Sequence, residues 1–352
     1  MFDTIADTTI AALIGLFGGM LIGIASRMGR FCTLGAIEDM LYQHNTVRMR
    51  MWLVGIGTAI IGTFSLMTLG LLDAQNTVYL SFGWNPISTI LGGLLFGYGM
   101  ALVGTCGFGA LSRLGGGDLR SFVIVLVMGI AAYITLSGPL AQLRVTLLPI
   151  PVADGPVPPG IAHLLGNMTG LSPHAIGLAI GAMILAGALA SRKFIARPKE
   201  VFWGAVVGLA VISGWAGTQW IRANGFSALP IESHTFSAPL GDTIIYTMTS
   251  SGNSINFGVG SVIGVVFGAF LATLFKKEFR WEACEDHREL RRQIAGATFM
   301  GVGAVLAFGC TIGQGISAFS VLAYGAPVAL ISIIAGAAFG LHQLIIGFSR
   351  VA

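Results

Sequence analysis

Nine apolar stretches, each close to the length a helix needs to cross a bilayer, limit this chain more than any other feature. They fall near 8–26, 51–72, 87–105, 121–143, 174–191, 201–220, 257–275, 293–309 and 327–347, against about 20 residues per helical crossing. Hydrophobic residues make up 55% of the chain and charged residues 10%, with a mean hydropathy of +0.83. So few charges cannot cover a water-soluble domain of this length. One integral membrane domain is expected over 1–352, all-α, in a lipid bilayer. The net charge of +4 does not point to nucleic acid, because Lys and Arg are scattered between apolar runs.

Basic residues give an expected orientation. They gather in alternate loops: Arg27, Arg30, Arg48 and Arg50; Arg113 and Arg120; Arg192, Lys193, Arg197 and Lys199; then Lys276, Lys277, Arg280, Arg288, Arg291 and Arg292. The intervening loops hold almost none. The crowded side is expected to be cytoplasmic, with the N-terminus outside and the C-terminus inside. The opening MFDTIADTT is acidic, unlike the basic start of a signal peptide, so the first apolar run is expected to be a retained span.

One motif occurs twice. GTCGFG runs from Gly104 to Gly109, and FGCTIGQG from Phe308 to Gly315. Aligning Cys106 with Cys310 also brings Gly92 onto Gly296, Gly97 onto Gly301, Gly99 onto Gly303 and Gly109 onto Gly313. Repeat A is expected at about 8–143, a linking span at about 174–191 and repeat B at about 201–347. Five spans separate each element from its copy, an odd number, so the repeats should run in opposite directions. Such repeats place a transported substrate near the midplane. Under a second offset, RMGRFCTL at 27–34 meets RANGFSAL at 222–229, pairing Cys32 with Ser227. The stretch 221–256 is expected as a long external loop, and the proline-rich 149–160 as an external cap.

No Walker motif, GxSxG, HExxH or paired CxxC is present. The spans hold almost no Asp, Glu or Lys, which suits an anion better than a cation. Broken helices would offer free backbone N–H groups to an anion. Gly107, Gly109, Gly313 and Gly315 would let the backbone approach it. Thr311, Gln314 and Arg30 are further candidate contacts. Thiols are soft and hydrogen-bond weakly, so Cys32, Cys106 and Cys310 suit a ligand bearing a polarisable sulfur. The alternative reading makes them small apolar packing residues. Cys284 sits in a charged loop without the second pair a zinc site needs. No catalytic residue, metal or cofactor is expected.

The motifs GRFC at 29–32, GTCGFGA at 104–110 and FGCTIGQG at 308–315 resemble the YeeE/YedE family of sulfur-transport membrane proteins, over essentially the whole chain. The resemblance implies a bacterial inner-membrane permease for thiosulfate or a related sulfur anion. It also implies an hourglass of inverted repeats with short re-entrant helices. By motif, the three path cysteines of that family correspond to Cys32, Cys106 and Cys310, with Cys106 the most critical. A TusA-like sulfur-carrier protein is an implied cytoplasmic partner. Cys284 matches none of the motifs. Two rivals remain at this point: a membrane-embedded sulfurtransferase with a persulfide-forming cysteine, and an aquaporin-like channel in which the cysteines do nothing.

Overall fold

The computed structural model describes residues 6–150, 158–283 and 286–349. Cys284 and most of the proline-rich 149–160 stretch lie outside the described residues. Helices account for the architecture, and no strand occurs among the described residues.

Two kinds of helix alternate. Long ones are α1 (Asp7–Gly29), α3 (Val47–Thr68), α4 (Pro86–Val103), α6 (Leu119–Leu136), α9 (Pro173–Leu189), α11 (Pro198–Asn224), α13 (Phe257–Lys276), α14 (His287–Leu306) and α15 (Gly325–Ser349). Short ones follow directly on some of these: α2 (Thr33–Tyr42) after α1, α5 (Gly107–Gly115) after α4, α12 (Ala238–Thr249) after α11. After α14 comes a helical stretch over 311–320 whose middle, Gly313–Ala318, is a π turn. Smaller connectors are α7 (Ala141–Leu147), α8 (Ile161–Thr169) and α10 (Arg192–Ile195).

Seven helical units are long and apolar enough to cross a membrane, eight if the sharply bent α8–α9 pair is one span. The expected nine is not reached, for two local reasons. α9 has only 17 residues. α14 opens on His287, Arg288, Glu289, Arg291 and Arg292, a turn too polar for the hydrocarbon. The expected loop 221–256 is also corrected. α11 runs on to Asn224, and Ala238–Thr249 forms α12, with a proline in its first turn where no N–H partner is needed.

Glycines bring the helices together backbone to backbone. On α1, a Cβ at Gly15, Gly19 or Gly23 would collide with the carbonyls of Phe257, Ser261 and Val265 on α13. Reciprocally, Gly260, Gly264 and Gly268 of α13 face the carbonyls of Ala12, Leu16 and Met20. This is small-residue packing at a four-residue interval on both partners, the arrangement that lets helices associate where lipid supplies no hydrophobic drive. α4 uses the device twice: Gly97 faces Ile333 of α15, and Gly92 and Gly99 face α14.

Much of the packing is paired. α1 lies on α13, and α11 on α3; α4 lies on α15, and α14 on α6; α5 lies on α13, and the π turn on α3; α12 meets α6, and α2 meets α15. In each of these pairs one contact mirrors the other with first-half and second-half helices exchanged, whereas the contact of α3 with α9 has no such match.

Candidate functional site

The breaks between long and short helices build the site. α1 ends at Arg30, whose backbone is left-handed (φ 54°, ψ 39°). α4 ends at Gly104, also left-handed (φ 80°), where glycine has no Cβ to clash. α14 gives way at Phe308 (φ 59°) and Gly309 (φ 151°). A non-glycine residue in this region costs about 1–2 kcal/mol, so Arg30 and Phe308 are held there by their surroundings. Gln314 supplies part of that hold, since its Nε2 donates to the carbonyls of Ala307 (2.9 Å) and Phe308 (3.0 Å).

Each short helix then starts on a small polar or thiol residue. Cys32 precedes α2, Cys106 precedes α5, Ser237 precedes α12 and Cys310 precedes the 311–320 helix. Cys106 and Cys310 are fully buried and Cys32 is partly buried. The Cys106 Sγ accepts the Gly109 N–H at 3.4 Å. The Cys310 Sγ accepts the Gly313 N–H at 3.5 Å in the same i+3 geometry. It also accepts the Phe236 N–H at 3.3 Å, and the Thr235 hydroxyl lies 3.9 Å away.

Cys106 has several polar neighbours. Both Cys32 and Cys310 lie near enough to interact with it electrostatically, and the Thr311 hydroxyl lies beside its sulfur. That hydroxyl makes no well-oriented hydrogen bond, although Thr311 is fully buried. The hydroxyl of Thr33, next to Cys32, is likewise unpaired and buried, as is the Gln314 Oε1. Unpaired buried polar atoms are uncommon; others lie elsewhere among the described residues, but Thr33 and Thr311 each directly follow a thiol.

On one side of the thiols lies an open cavity of about 350 Å³. Cys32, Thr105 and Gly109 line it together with Arg27, Arg30, Arg48, Arg113 and Glu38. Most of these cations are committed. Arg27 donates to the Ser112 and Arg113 carbonyls, Arg113 to the Gly104 carbonyl, and Arg48 pairs with Asp39 at 3.2 Å. Arg30 is exposed and has no hydrogen bond or ion pair among the described residues. Beyond Cys310 lies a second cavity, of about 180 Å³, lined by Tyr79, Glu232, Thr235, Ser237, Asp242, Asn256 and Phe308 among others.

The glycines flanking the thiols are also hemmed in by side chains. The space a side chain would need at Gly107 is occupied by Met128, at Gly109 by Thr105, and at Gly313 by Thr235 and the Tyr79 hydroxyl. A Cβ at Gly315 would lie 3.3 Å from the Trp52 ring. Sequence reasoning placed Ser227 opposite Cys32, but Ser227 is exposed and its N–H binds Asp7 at 2.7 Å. Its neighbour Phe226 is 95% exposed, whereas Phe31, its expected match, is fully buried. Thr235, Phe236, Ser237 and Tyr79 were missed altogether. Their one sequence signal is the proline at 239, which marks a helix start at Ser237.

Broken helices that begin on thiols, near a cationic and an acidic cavity in a multi-pass membrane fold, define a class: membrane proteins that bury polar groups at their helix breaks. The profile of the sulphur transport family matches residues 28–339, and the chain belongs to that family. It is 26% identical over 341 residues to the thiosulfate transporter TsuA of Escherichia coli strain K12, covering 92% of each chain. It is 26% identical over 330 residues to the thiosulfate transporter TsuA of Spirochaeta thermophila, covering 92% of this chain and 96% of the relative. A third similarity, 32% over 104 residues, is to the probable transporter YedE of E. coli K12, covering 30% of this chain and 23% of the relative.

Proposed function

We propose that this protein is a permease of the bacterial inner membrane for thiosulfate or a related sulfur anion, with the N-terminus outside and the C-terminus in the cytoplasm. The paired packing and the recurring motif support two inverted repeats, about 8–143 and about 201–347, joined by a linking span near 174–191. The observation that carries the reading is that Cys32, Cys106 and Cys310 each stand at the start of a short helix, with the other two near enough to Cys106 to interact with it electrostatically.

The chemistry follows from what a thiol and a helix start can offer. Backbone N–H groups engage the lone pairs of the Cys106 and Cys310 sulfurs. The S–H proton is then left to point toward an anion. Free N–H groups in each first turn add a favourable potential worth about 0.3–1 kcal/mol per helix end. A soft terminal sulfur on the anion fits the polarisable thiols better than a hard oxygen does. Three weak sites in series allow passage where one strong site would trap the ion. Arg30, unpaired at the cationic cavity, gathers the anion on the cytoplasmic side, and Thr311 bridges Cys106 and Cys310. A sulfur-carrier protein of the TusA type, docking on that basic face, would take the product.

Labelled thiosulfate uptake into proteoliposomes tests the reading. Cys106→Ala should abolish uptake, and Cys106→Ser should leave a small residual rate. Unchanged uptake by Cys106→Ala would refute the thiol path. A persulfide found on Cys106 or Cys310 after exposure to thiosulfate would favour a sulfurtransferase instead, and equal uptake of glycerol would favour a neutral-solute channel.

A further inference from the structure

The cavity beyond Cys310 has the wrong charge for a simple anion path. Two carboxyl groups line it, Glu232 and Asp242, and no Lys, Arg or His does so. Thr235 lines the same cavity and reaches the Cys310 sulfur at 3.9 Å, so an anion that meets Cys310 from this side passes the carboxyls. The Thr311 hydroxyl, in the residue that follows Cys310, and the Gln314 Oε1 in the next turn are buried polar atoms without a well-oriented partner, which suits a polar guest near this helix start.

Glu232 is held in position by its backbone. The Thr218 hydroxyl donates to its carbonyl at 2.9 Å and accepts its N–H at 3.2 Å. Its carboxylate has no hydrogen bond or ion pair among the described residues. It also lines a neighbouring cavity of about 210 Å³ with Thr8, Thr218 and Asn256, so Glu232 borders two cavities, each with room for several waters. Asp242 has the Asn256 amide as its one partner.

The other titratable groups around the pair do not neutralise it. Tyr79 lines the cavity and hydrogen-bonds Thr235. Arg144, from α7, caps the Thr135 and Leu136 carbonyls at the end of α6. Arg222, on α11, binds the Leu229 carbonyl and Asn76. Asp7 of α1 takes the Phe226 and Ser227 amides. His234 faces away, its Nδ1 against Ser261 at 2.6 Å and its ring on Phe257.

Two like charges in one small cavity cannot both ionise cheaply, and an arriving anion adds a third. Burial, and then the charge of Asp242, raise the Glu232 carboxyl to about 7. Burial raises Asp242 as well, against the Asn256 hydrogen bond.

We propose that Glu232 and Asp242 form a proton-binding site that admits the anion: the cavity takes up a proton from the medium on its side before, or together with, the anion that moves on to Cys310. The proton goes onto a carboxylate oxygen of Glu232, with no other bond made or broken. Linkage makes the effect mutual, since a proton that eases anion binding is itself held more tightly by the bound anion. The sign is fixed by the raised carboxyl: the permissive, protonated form dominates below about pH 7 and is lost above it. The inference rests on the permease reading.

The test is the initial rate of labelled thiosulfate uptake into proteoliposomes, with internal pH and membrane potential clamped and external pH varied. Thiosulfate stays a dianion over this range, so a slope reports the protein. The wild type should be flat in the acid range and fall about tenfold per pH unit well above the midpoint, as one lost proton requires. Glu232→Gln, the neutral isostere, should be flat throughout. Glu232→Asp should keep a slope with a displaced midpoint, and Asp242→Asn should move the midpoint to lower pH. The proposal is overturned if Glu232→Gln, verified as folded by its melting temperature, keeps the wild-type slope. A wild type that takes up thiosulfate with no slope overturns this proposal alone, whereas one that takes up none at any pH overturns the permease reading with it.

Discussion

Replacing Gly264 with alanine should damage the whole α1–α13 seam rather than one contact. An ideal Cβ there would overlap the Leu16 carbonyl oxygen, with the Leu16 carbonyl carbon and Cα each at 2.9 Å. Those neighbours are helix backbone and cannot rotate away. The helices must part by roughly 0.5–1 Å to restore ordinary contact, and a gap of that size forfeits about a quarter to a half of each dispersion well along the interface. Because Gly15, Gly19, Gly23, Gly260 and Gly268 sit in the same seam, the loss is shared by all of them. Overpacking of this kind costs about 1–3 kcal/mol, and the better helix propensity of alanine returns roughly 0.5–1 kcal/mol. A net loss of about 1–2 kcal/mol follows, a few degrees in melting temperature for a chain of this size. The assay is thermal unfolding of the purified protein in detergent, beside Gly187→Ala as the internal reference. Gly187 lies on α9 with nothing within 4 Å of its ideal Cβ, so that variant should melt no lower than the wild type. If Gly264→Ala melts at or above the wild type while Gly187→Ala behaves as stated, the backbone-contact argument is wrong.

Arg30→Gly separates backbone from charge. It relieves the left-handed residue by about 1 kcal/mol, so the melting temperature should hold or rise. It also removes the unpaired cation of the cytoplasmic cavity, so the uptake rate should fall and lose part of its dependence on ionic strength. Trp215→Phe removes the indole N–H that donates to the Ser320 hydroxyl at 2.9 Å in a fully buried setting. Ser320 in turn donates to the Ser317 carbonyl, and Ser317 to the His234 carbonyl. The variant should lose about 1–2 kcal/mol, measured by the same melts; no loss would mean that this chain of hydroxyls does not hold the 311–320 helix.

How much of this was legible in the sequence depends on the range of the signal. Hydropathy is local, and it located every long helix. It overcounted at α14, where the apolar run is real but begins behind five polar residues, and at α9, where the helix is short. The repeat found Cys106 and Cys310 because glycine and cysteine spacing survives on both sides of one helix break. The residue it aligned with Cys32, Ser227, lies in the linker before α12, and the residue at the start of that helix is Ser237. Thr235 and Tyr79 could not be found at all. They reach Cys310 through tertiary folding from segments with no pattern in common with it. The glycines beside the thiols stood out in the sequence, but the side chains that crowd them include Met128, Thr235 and Tyr79 from distant segments, which no reading of a single segment contains.

The seam between α1 and α13, and those of α4 with α14 and α15, bring main chain against main chain with few side chains between. Nothing there can change rotamer to let one helix slide past the other. These pairs are staves that tilt as units or stay put. Movement in such a fold is therefore left to the short helices that carry the thiols, which join the staves through positive-φ breaks at Arg30, Gly104 and Phe308–Gly309.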